Sequence, residues 1–192
     1  MKSPRGGILL DFDGTLTKPA IDWKTMKAEM AFEDDTMILE FLETAEPDRA
    51  RQVSEILERH ETDAARRAEP SEGAHEFVDF LRNREIPFGI VTNNAMRHVS
   101  VMLERIRLSF ETVITRDAGI WKPDPRHVLM GADAIGVAPE DCIFIGDGRL
   151  DMIASKKAGM TAIHLSSLPG PVCDYRVHRL ADAIPIIENL LL

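Results

Sequence analysis

Two aspartates follow a short apolar run near the start of the chain, in the segment Ile8-Leu-Leu-Asp11-Phe-Asp13-Gly14-Thr15. In an extended strand, side chains two residues apart point the same way, so Asp11 and Asp13 would face a common space. Carboxylates that close repel each other unless they share a cation or one is protonated. A divalent ion with oxygen ligands, such as Mg²⁺, would relieve the repulsion, and Gly14 would let backbone amides approach a bound phosphate. The same residues also fit a solvated Asp-Gly turn, so this segment alone does not decide the chemistry.

Three later segments also place polar residues where apolar runs end. Thr92 and Asn93 offer a hydroxyl and amides suited to a phosphate oxygen. Lys122 precedes a proline-rich turn, from which a compact ammonium can reach both phosphate and carboxylate. Asp147 follows a further apolar run, and Asp151 comes one helical turn later, so the two carboxylates can face the same site. Each segment is common in isolation, and only their combination is informative.

The elements that would position these residues are five short apolar runs, which predict buried strands. Helical patterns of ordinary length separate four of the runs, as in successive βαβ units with a parallel sheet. The predicted fold is α/β: a Rossmann-like, three-layer α/β/α core with five parallel strands. Such sheets collect ligands at the carboxyl ends of their strands. The predicted strands are Gly7–Phe12, Pro87–Thr92, Glu111–Thr115, Cys142–Gly146 and Met160–Leu165.

The chain between the first two predicted strands is too long for a plain crossover, and its patterns are helical. Trp23, Met26 and Met30 form one apolar stripe, and Pro47 is well placed to open a later helix. We therefore expect a helical cap over residues 18–72, with residues 1–17 and 73–192 forming the catalytic core. A cap at the tip of the first strand could act as a lid that excludes water and selects substrate. A decorative or dimerising helical hairpin is the alternative.

The formal net charge of −9, from 32 acids against 23 lysines and arginines, disfavours nucleic acids and anionic membrane surfaces as partners. Residues 18–72 alone carry fifteen acids and eight lysines or arginines, a net charge of −7. A small phosphorylated metabolite needs only a local positive site and remains a suitable partner. No apolar run approaches membrane-spanning length, no signal peptide is evident, and the two cysteines suggest neither zinc nor a disulfide framework. We expect a cytoplasmic protein, either monomer or homodimer.

Taken in this order, the four segments resemble the haloacid dehalogenase-like superfamily. The resemblance rests on DxDGT at Asp11, a strand ending in Thr92, the Lys122-Pro dipeptide and GDxxxD from Asp147. The helical insertion after the first segment is similar to the cap of the phosphoglycolate phosphatase-like and phosphomutase-like branch, although it is short for that branch.

The resemblance implies a role for each matching residue. Asp11 would be the nucleophile, and Asp13 would protonate the leaving oxygen and then activate water. Mg²⁺ would be held by Asp11, the backbone carbonyl of Asp13, Asp147 and Asp151. Phosphoryl oxygens would be bound by Thr92, by Lys122 and by backbone amides that include the one at Asn93.

The implied function is a Mg²⁺-dependent phosphatase that hydrolyses a small phosphomonoester through an aspartyl-phosphate intermediate. A phosphomutase acting on a phosphorylated sugar and a catalytically silent phospholigand-binding protein are the alternatives. The second acid, Asp13, argues against cleavage of carbon–halogen bonds. The sequence does not specify the substrate, although five residues of the insertion are candidate contacts that could equally be surface or packing residues: Trp23, Lys24, His60, Arg66 and Arg67.

Overall fold

A single parallel sheet with helices on both faces forms the core of the structure, a computed structural model that describes residues 5–192. The strand order is β3-β2-β1-β4-β5-β6. Residues 1–4, which the sequence assigns to the core, lie outside the described residues. The strands are β1 (Gly7–Leu10), β2 (Phe88–Val91), β3 (Val113–Ile114), β4 (Cys142–Gly146), β5 (Thr161–Leu165) and β6 (Tyr175–Val177).

The α/β prediction is confirmed, but the count of five strands is wrong. The missed strand, β6, pairs in parallel with β5 at the edge of the sheet. Only Val177 of its three residues is buried, whereas Tyr175 and Arg176 are exposed, so no apolar run marks it. At the other edge, β3 has two residues where the sequence predicts a strand of five, and both are only half-buried.

The alternation of side chains along the strands produces the three layers, as expected for a sheet buried on both faces. Ile8 and Leu10 of β1 belong to a cluster with the helices on one face, whereas Leu9 packs with Val128 and Met152 on the other. The helices are α1 (Trp23–Glu29), α2 (Ile38–Thr44), α3 (Pro47–Arg67), α4 (Ala74–Asn83), α5 (Met96–Ile106), α6 (Pro125–Ala134), α7 (Arg149–Lys157) and α8 (Leu180–Leu191).

Helices α1 to α3 lie within the stretch for which the sequence predicts a helical cap. They share a small apolar cluster of their own that includes Met26, Met30 and Val53. Pro47 is the first residue of α3, where its missing N–H costs no helical hydrogen bond. α3 also packs against α5 of the core, which holds the insertion over the carboxyl ends of the strands. Within residues 5–192, no helix is both long enough and apolar enough to cross a membrane.

Candidate active site

The first aspartate stands directly beyond the carboxyl end of β1. The backbone N–H of Asp11 donates to the carbonyl of Ile145 at 2.9 Å, which keeps Asp11 in line with β4. The chain then turns at Gly14, whose φ of +86° lies in the region that favours glycine. A Cβ at Gly14 would lie 2.1 Å from Oδ2 of Asp147. The turn after β1 and the turn after β4 therefore approach each other too closely for any side chain at this position.

The structure brings together four of the charged residues that the sequence singles out. Carboxylate oxygens of Asp11, Asp147 and Asp151 all lie within 4.8 Å of one another. The Lys122 ammonium, only 2% exposed, lies 2.6 Å from Oδ1 of Asp11 and 2.6 Å from Oδ1 of Asp151. It also donates to the carbonyl of Val91 at 2.9 Å, while Oδ2 of Asp151 accepts the backbone N–H of residue 148 at 2.8 Å. One ammonium thus bridges two of three clustered carboxylates.

The pKa values of these groups show the effect of the crowding. Burial, followed by repulsion from Asp151, raises the pKa of Asp11 well above its ordinary value despite the adjacent ammonium. Burial and the nearby carboxylates of Asp151 and Asp13 raise the pKa of Asp147 to about 7. Burial acts to lower the pKa of Lys122, but the attraction of Asp11 and Asp151 outweighs it and raises that pKa. Three carboxylates against one ammonium leave excess negative charge, and this all-oxygen set suits a hard divalent cation.

Asp13 lies in a different environment from the three clustered acids. Its Oδ1 accepts hydrogen bonds from the Thr17 hydroxyl at 3.2 Å and from the backbone N–H of Ala20 at 3.3 Å. Burial raises the pKa of Asp13, although these two hydrogen bonds oppose the shift. A carboxyl group with a raised pKa keeps its proton closer to neutral pH, which suits a residue that must donate and later accept a proton.

The two remaining predicted residues lie next to Lys122. The Asn93 side chain donates from Nδ2 to the carbonyl of Lys122 and accepts its N–H at Oδ1, both at 2.8 Å. The side chain of Asn93 is therefore occupied in holding the lysine, which leaves its backbone N–H for a ligand. The Thr92 hydroxyl is buried, and its oxygen accepts the backbone N–H two residues further on at 3.2 Å. Within residues 5–192, the N–H groups of Phe12, Asp13 and Asn93 have no acceptor.

A second charged cluster, which the sequence reasoning missed, joins the insertion to this site. Glu61 on α3 is 3% exposed, and its carboxylate accepts two hydrogen bonds from Arg116, one of them at 2.7 Å. Arg116 also donates to the carbonyl of Asn93 at 2.9 Å, and Nδ1 of His98 lies 3.2 Å from Oε2 of Glu61. Glu61 comes four residues after the buried Leu57, on the apolar face of α3. That spacing was the one feature of the sequence that could have indicated a buried acid. Nothing in the sequence near Arg116 indicated its partner.

A cavity of about 390 Å³ lies between the acidic cluster and the insertion. Of the five candidate contacts in the insertion, Trp23 lines the cavity, whereas Lys24, His60, Arg66 and Arg67 do not. The other insertion residues that line it were not predicted from the sequence to contact a ligand. They are Pro19, Lys27, Thr36, Met37, Ile38, Leu39, Leu57 and Glu61.

Several known proteins are similar to this chain in sequence or in fold. A hydrolase from Pseudomonas syringae matches the structure with a TM-score of 0.80 at 20% identity, over 96% of this chain and 99% of that one. A haloacid dehalogenase-like hydrolase domain-containing protein of Arabidopsis thaliana is 27% identical over 207 residues, covering 96% of this chain and 83% of the relative. The phosphoglycolate phosphatase of Escherichia coli K12 is 35% identical over 89 residues, which cover 45% of this chain and 35% of that enzyme.

The model of the family described as haloacid dehalogenase-like hydrolase matches residues 17–165. This range includes Thr92, Lys122, Asp147 and Asp151 but begins after Asp11 and Asp13, whose place in the site follows from the geometry above. Since the match spans more than half of the chain, the protein belongs to the haloacid dehalogenase-like hydrolase family.

Proposed function

We propose that this hydrolase is a Mg²⁺-dependent phosphatase that cleaves a small phosphomonoester through a covalent phosphate on Asp11. The observation that carries the proposal is the pairing of Asp11 with Lys122 at the floor of the cavity, with Asp13 two residues away. The partial match to a phosphoglycolate phosphatase supports the same reaction class. Its substrate would be a small phosphorylated metabolite.

In the first step, a carboxylate oxygen of Asp11 attacks phosphorus as the bond from phosphorus to the ester oxygen breaks. The Lys122 ammonium, 2.6 Å from Oδ1 of Asp11, holds the nucleophile in place and offsets the charge of the phosphoryl group. The Thr92 hydroxyl and the N–H groups of Phe12 and Asn93 are available to bind phosphoryl oxygens. Asp13 supplies the proton that the departing alkoxide needs.

In the second step, water attacks the phosphorus of the aspartyl phosphate, and Asp13, now ionised, takes a proton from that water. The bond between phosphorus and the Asp11 oxygen breaks, which releases inorganic phosphate and restores both carboxyl groups. Oδ1 of Asp13 stays engaged with Thr17 and Ala20 and fixes the orientation of the carboxyl group. Oδ2 is the oxygen left for proton transfer.

The residues present fit a bound Mg²⁺, because three carboxylates lie close together with a single ammonium beside them. The raised pKa values of Asp11 and Asp147 show that the cluster has too little positive charge to balance its acids. Asp11, Asp147 and Asp151, with the backbone carbonyl of Asp13, would hold the ion. When bound, it would supply positive charge to offset the phosphoryl oxygens.

A phosphomutase would use the same acids but would pass the phosphate back to a sugar and not to water. A silent phospholigand-binding protein would keep the cavity without turnover. All the charged residues of the site are present and grouped, which favours turnover over silent binding. Hydrolysis and transfer differ in the fate of the phosphoenzyme, so the experiment must follow that species directly.

The test is phosphate release from a panel of phosphomonoesters with Mg²⁺, by the wild type and by Asp11→Asn and Asp13→Asn. We expect Asp11→Asn to lose turnover and phosphoenzyme formation together, because the amide is a poor nucleophile. Asp13→Asn should chiefly slow leaving-group departure and hydrolysis. Normal turnover by Asp11→Asn would refute the mechanism. A phosphoenzyme that resists water and transfers its phosphate to a sugar phosphate would establish the mutase.

A further inference from the structure

We propose that the leaving group of the substrate is largely apolar and that Trp23 is the residue that selects it. This inference rests on the proposed phosphatase function and names the class of ester on which it acts. It departs from phosphoglycolate, whose leaving group carries a carboxylate. Two features of the cavity support it: the apolar side chains of its outer wall, and the buried carboxylate of Glu61, which already pairs with Arg116.

Apolar side chains form most of the outer wall of the cavity. The insertion contributes Trp23, Met37, Leu39 and Leu57, and the core contributes Trp121 and Leu150. Trp23 is 48% exposed although it is a large apolar residue. An exposed indole beside a concave apolar surface is a typical feature of a ligand site, since covering it removes apolar area from water. The acidic cluster of Asp11, Asp147 and Asp151 lies at the ends of the strands, where the phosphoryl group would bind.

Two of the four cations that line the cavity are paired with acids. The guanidinium of Arg116 is paired with the buried carboxylate of Glu61, and the ammonium of Lys27 donates to the carbonyl of Asp34. Lys122 is held between two acids of the catalytic cluster. Arg149 has no ion pair within residues 5–192 and begins α7, two residues after Asp147 of the acidic cluster.

A carboxylate on the leaving group that approached Arg116 would also approach the carboxylate of Glu61, which already pairs with that guanidinium. Moving an anion out of water without a partner is costly, whereas an apolar group gains from the same transfer. The apolar lining thus favours a largely apolar leaving group that contacts the Trp23 ring.

The experiment compares esters that all release an alkoxide, so that intrinsic leaving-group reactivity does not dominate. Phosphate release by the purified full chain with Mg²⁺ gives kcat/KM for benzyl phosphate, 2-phosphoglycolate and ethyl phosphate. The same values are measured for Trp23→Ala and for Trp23→Phe, which keeps an aromatic face. Leu168→Ala is the matched control, because Leu168 is 71% exposed and does not line the cavity.

We expect the wild type to prefer benzyl phosphate over 2-phosphoglycolate by at least about tenfold in kcat/KM. Trp23→Ala should lower the benzyl phosphate value by roughly tenfold with little change for ethyl phosphate, and Trp23→Phe should recover most of the loss. Leu168→Ala should change neither value.

The inference would be overturned by a preference for 2-phosphoglycolate, or by an equal loss of kcat/KM on all three esters in Trp23→Ala. In either case, hydrolysis of ethyl phosphate that depends on Asp11 would still support the proposed function. Absence of hydrolysis of every ester would overturn both.

Discussion

Replacing Glu61 by glutamine tests how strongly the buried ion pair fixes the insertion to the core. Glu61 is 3% exposed, and its partner Arg116 has a side chain only 14% exposed. The substitution keeps the shape of the side chain and one acceptor oxygen. It removes the charge that compensates the buried guanidinium and adds an N–H₂ group that faces existing donors.

The expected cost follows from what the change leaves behind. Breaking one partner of a buried ion pair typically destabilises a protein by about 3–5 kcal/mol, because the remaining charge is left buried and uncompensated. Since glutamine still accepts one hydrogen bond from Arg116, the lower end applies, and we expect a loss of roughly 3 kcal/mol in the free energy of unfolding. For a chain of this size, that loss corresponds to a fall in Tm of about 6–12 °C.

The pH dependence gives a second, independent readout. Burial alone would raise the pKa of Glu61, but the hydrogen bonds from Arg116 and the neighbouring His98 outweigh it, so the pKa lies below the ordinary value of 4.5. A carboxylate whose pKa is lower in the folded state than in the unfolded state stabilises the fold. This stabilisation is complete above the unfolded-state pKa and is lost as the pH falls through the folded-state pKa. The difference between wild type and Glu61→Gln should therefore be constant from about pH 6 to pH 8 and shrink below about pH 4.5.

Urea denaturation followed by far-UV circular dichroism measures both quantities. Glu69→Gln is the control, because Glu69 pairs with Lys18 at 2.7 Å but both side chains are more than half exposed. That variant should match the wild type, as expected for a solvated ion pair. If Glu61→Gln unfolds within about 0.5 kcal/mol of the wild type, the buried pair does not fix the insertion and this reasoning fails.

Three further predictions concern the catalytic cluster itself. Gly14→Ala should lose most activity, because its Cβ would displace the Asp147 carboxylate. Gly73→Ala has a similar φ of +78° but open space around it, so it should lose a similar amount of stability through backbone strain and keep its activity. Asn93→Ala should lower kcat more than it raises KM, because it frees the backbone of Lys122; equal effects in kcat and KM would contradict a positioning role. Chelation should abolish phosphate release and added Mg²⁺ should restore it, measured on one ester; unchanged turnover in chelator would exclude a required divalent ion.

The sequence predicted those parts of the fold whose signal is local. Apolar runs that end in aspartate or threonine marked β1, β2 and β4, and they placed Asp11, Thr92 and Asp147 at one edge of the sheet. Strand β6 was missed because a three-residue edge strand with exposed Tyr175 and Arg176 has no apolar pattern. Its pairing depends on β5 already being in place, which is tertiary information.

The contacts around the site were harder to predict, because they join residues far apart in the chain. The backbone amide of Asn93 was expected to bind phosphate, but the two hydrogen bonds that its side chain makes to the backbone of Lys122, twenty-nine residues away, were not predicted. His164, on β5, has Nε2 2.9 Å from the backbone carbonyl of Asp147, so this nitrogen must carry the proton and donate. Each of these contacts depends on which strands are neighbours, and no single segment carries that information.

The insertion is strongly acidic and yet gives the cavity a largely apolar wall, because nearly all of its acids point away from the cavity. Of the acids in residues 18–72, all are exposed except Glu58, which is half-buried, and Glu61, which is buried. The exposed carboxylates face solvent, where water and salt weaken their effect on a ligand inside the cavity. Glu61 faces inward, but Arg116 neutralises it. The net charge of −7 therefore acts mainly at the outer surface, while a ligand inside meets a largely apolar wall above a charged floor, and we expect substrate choice to depend on that wall.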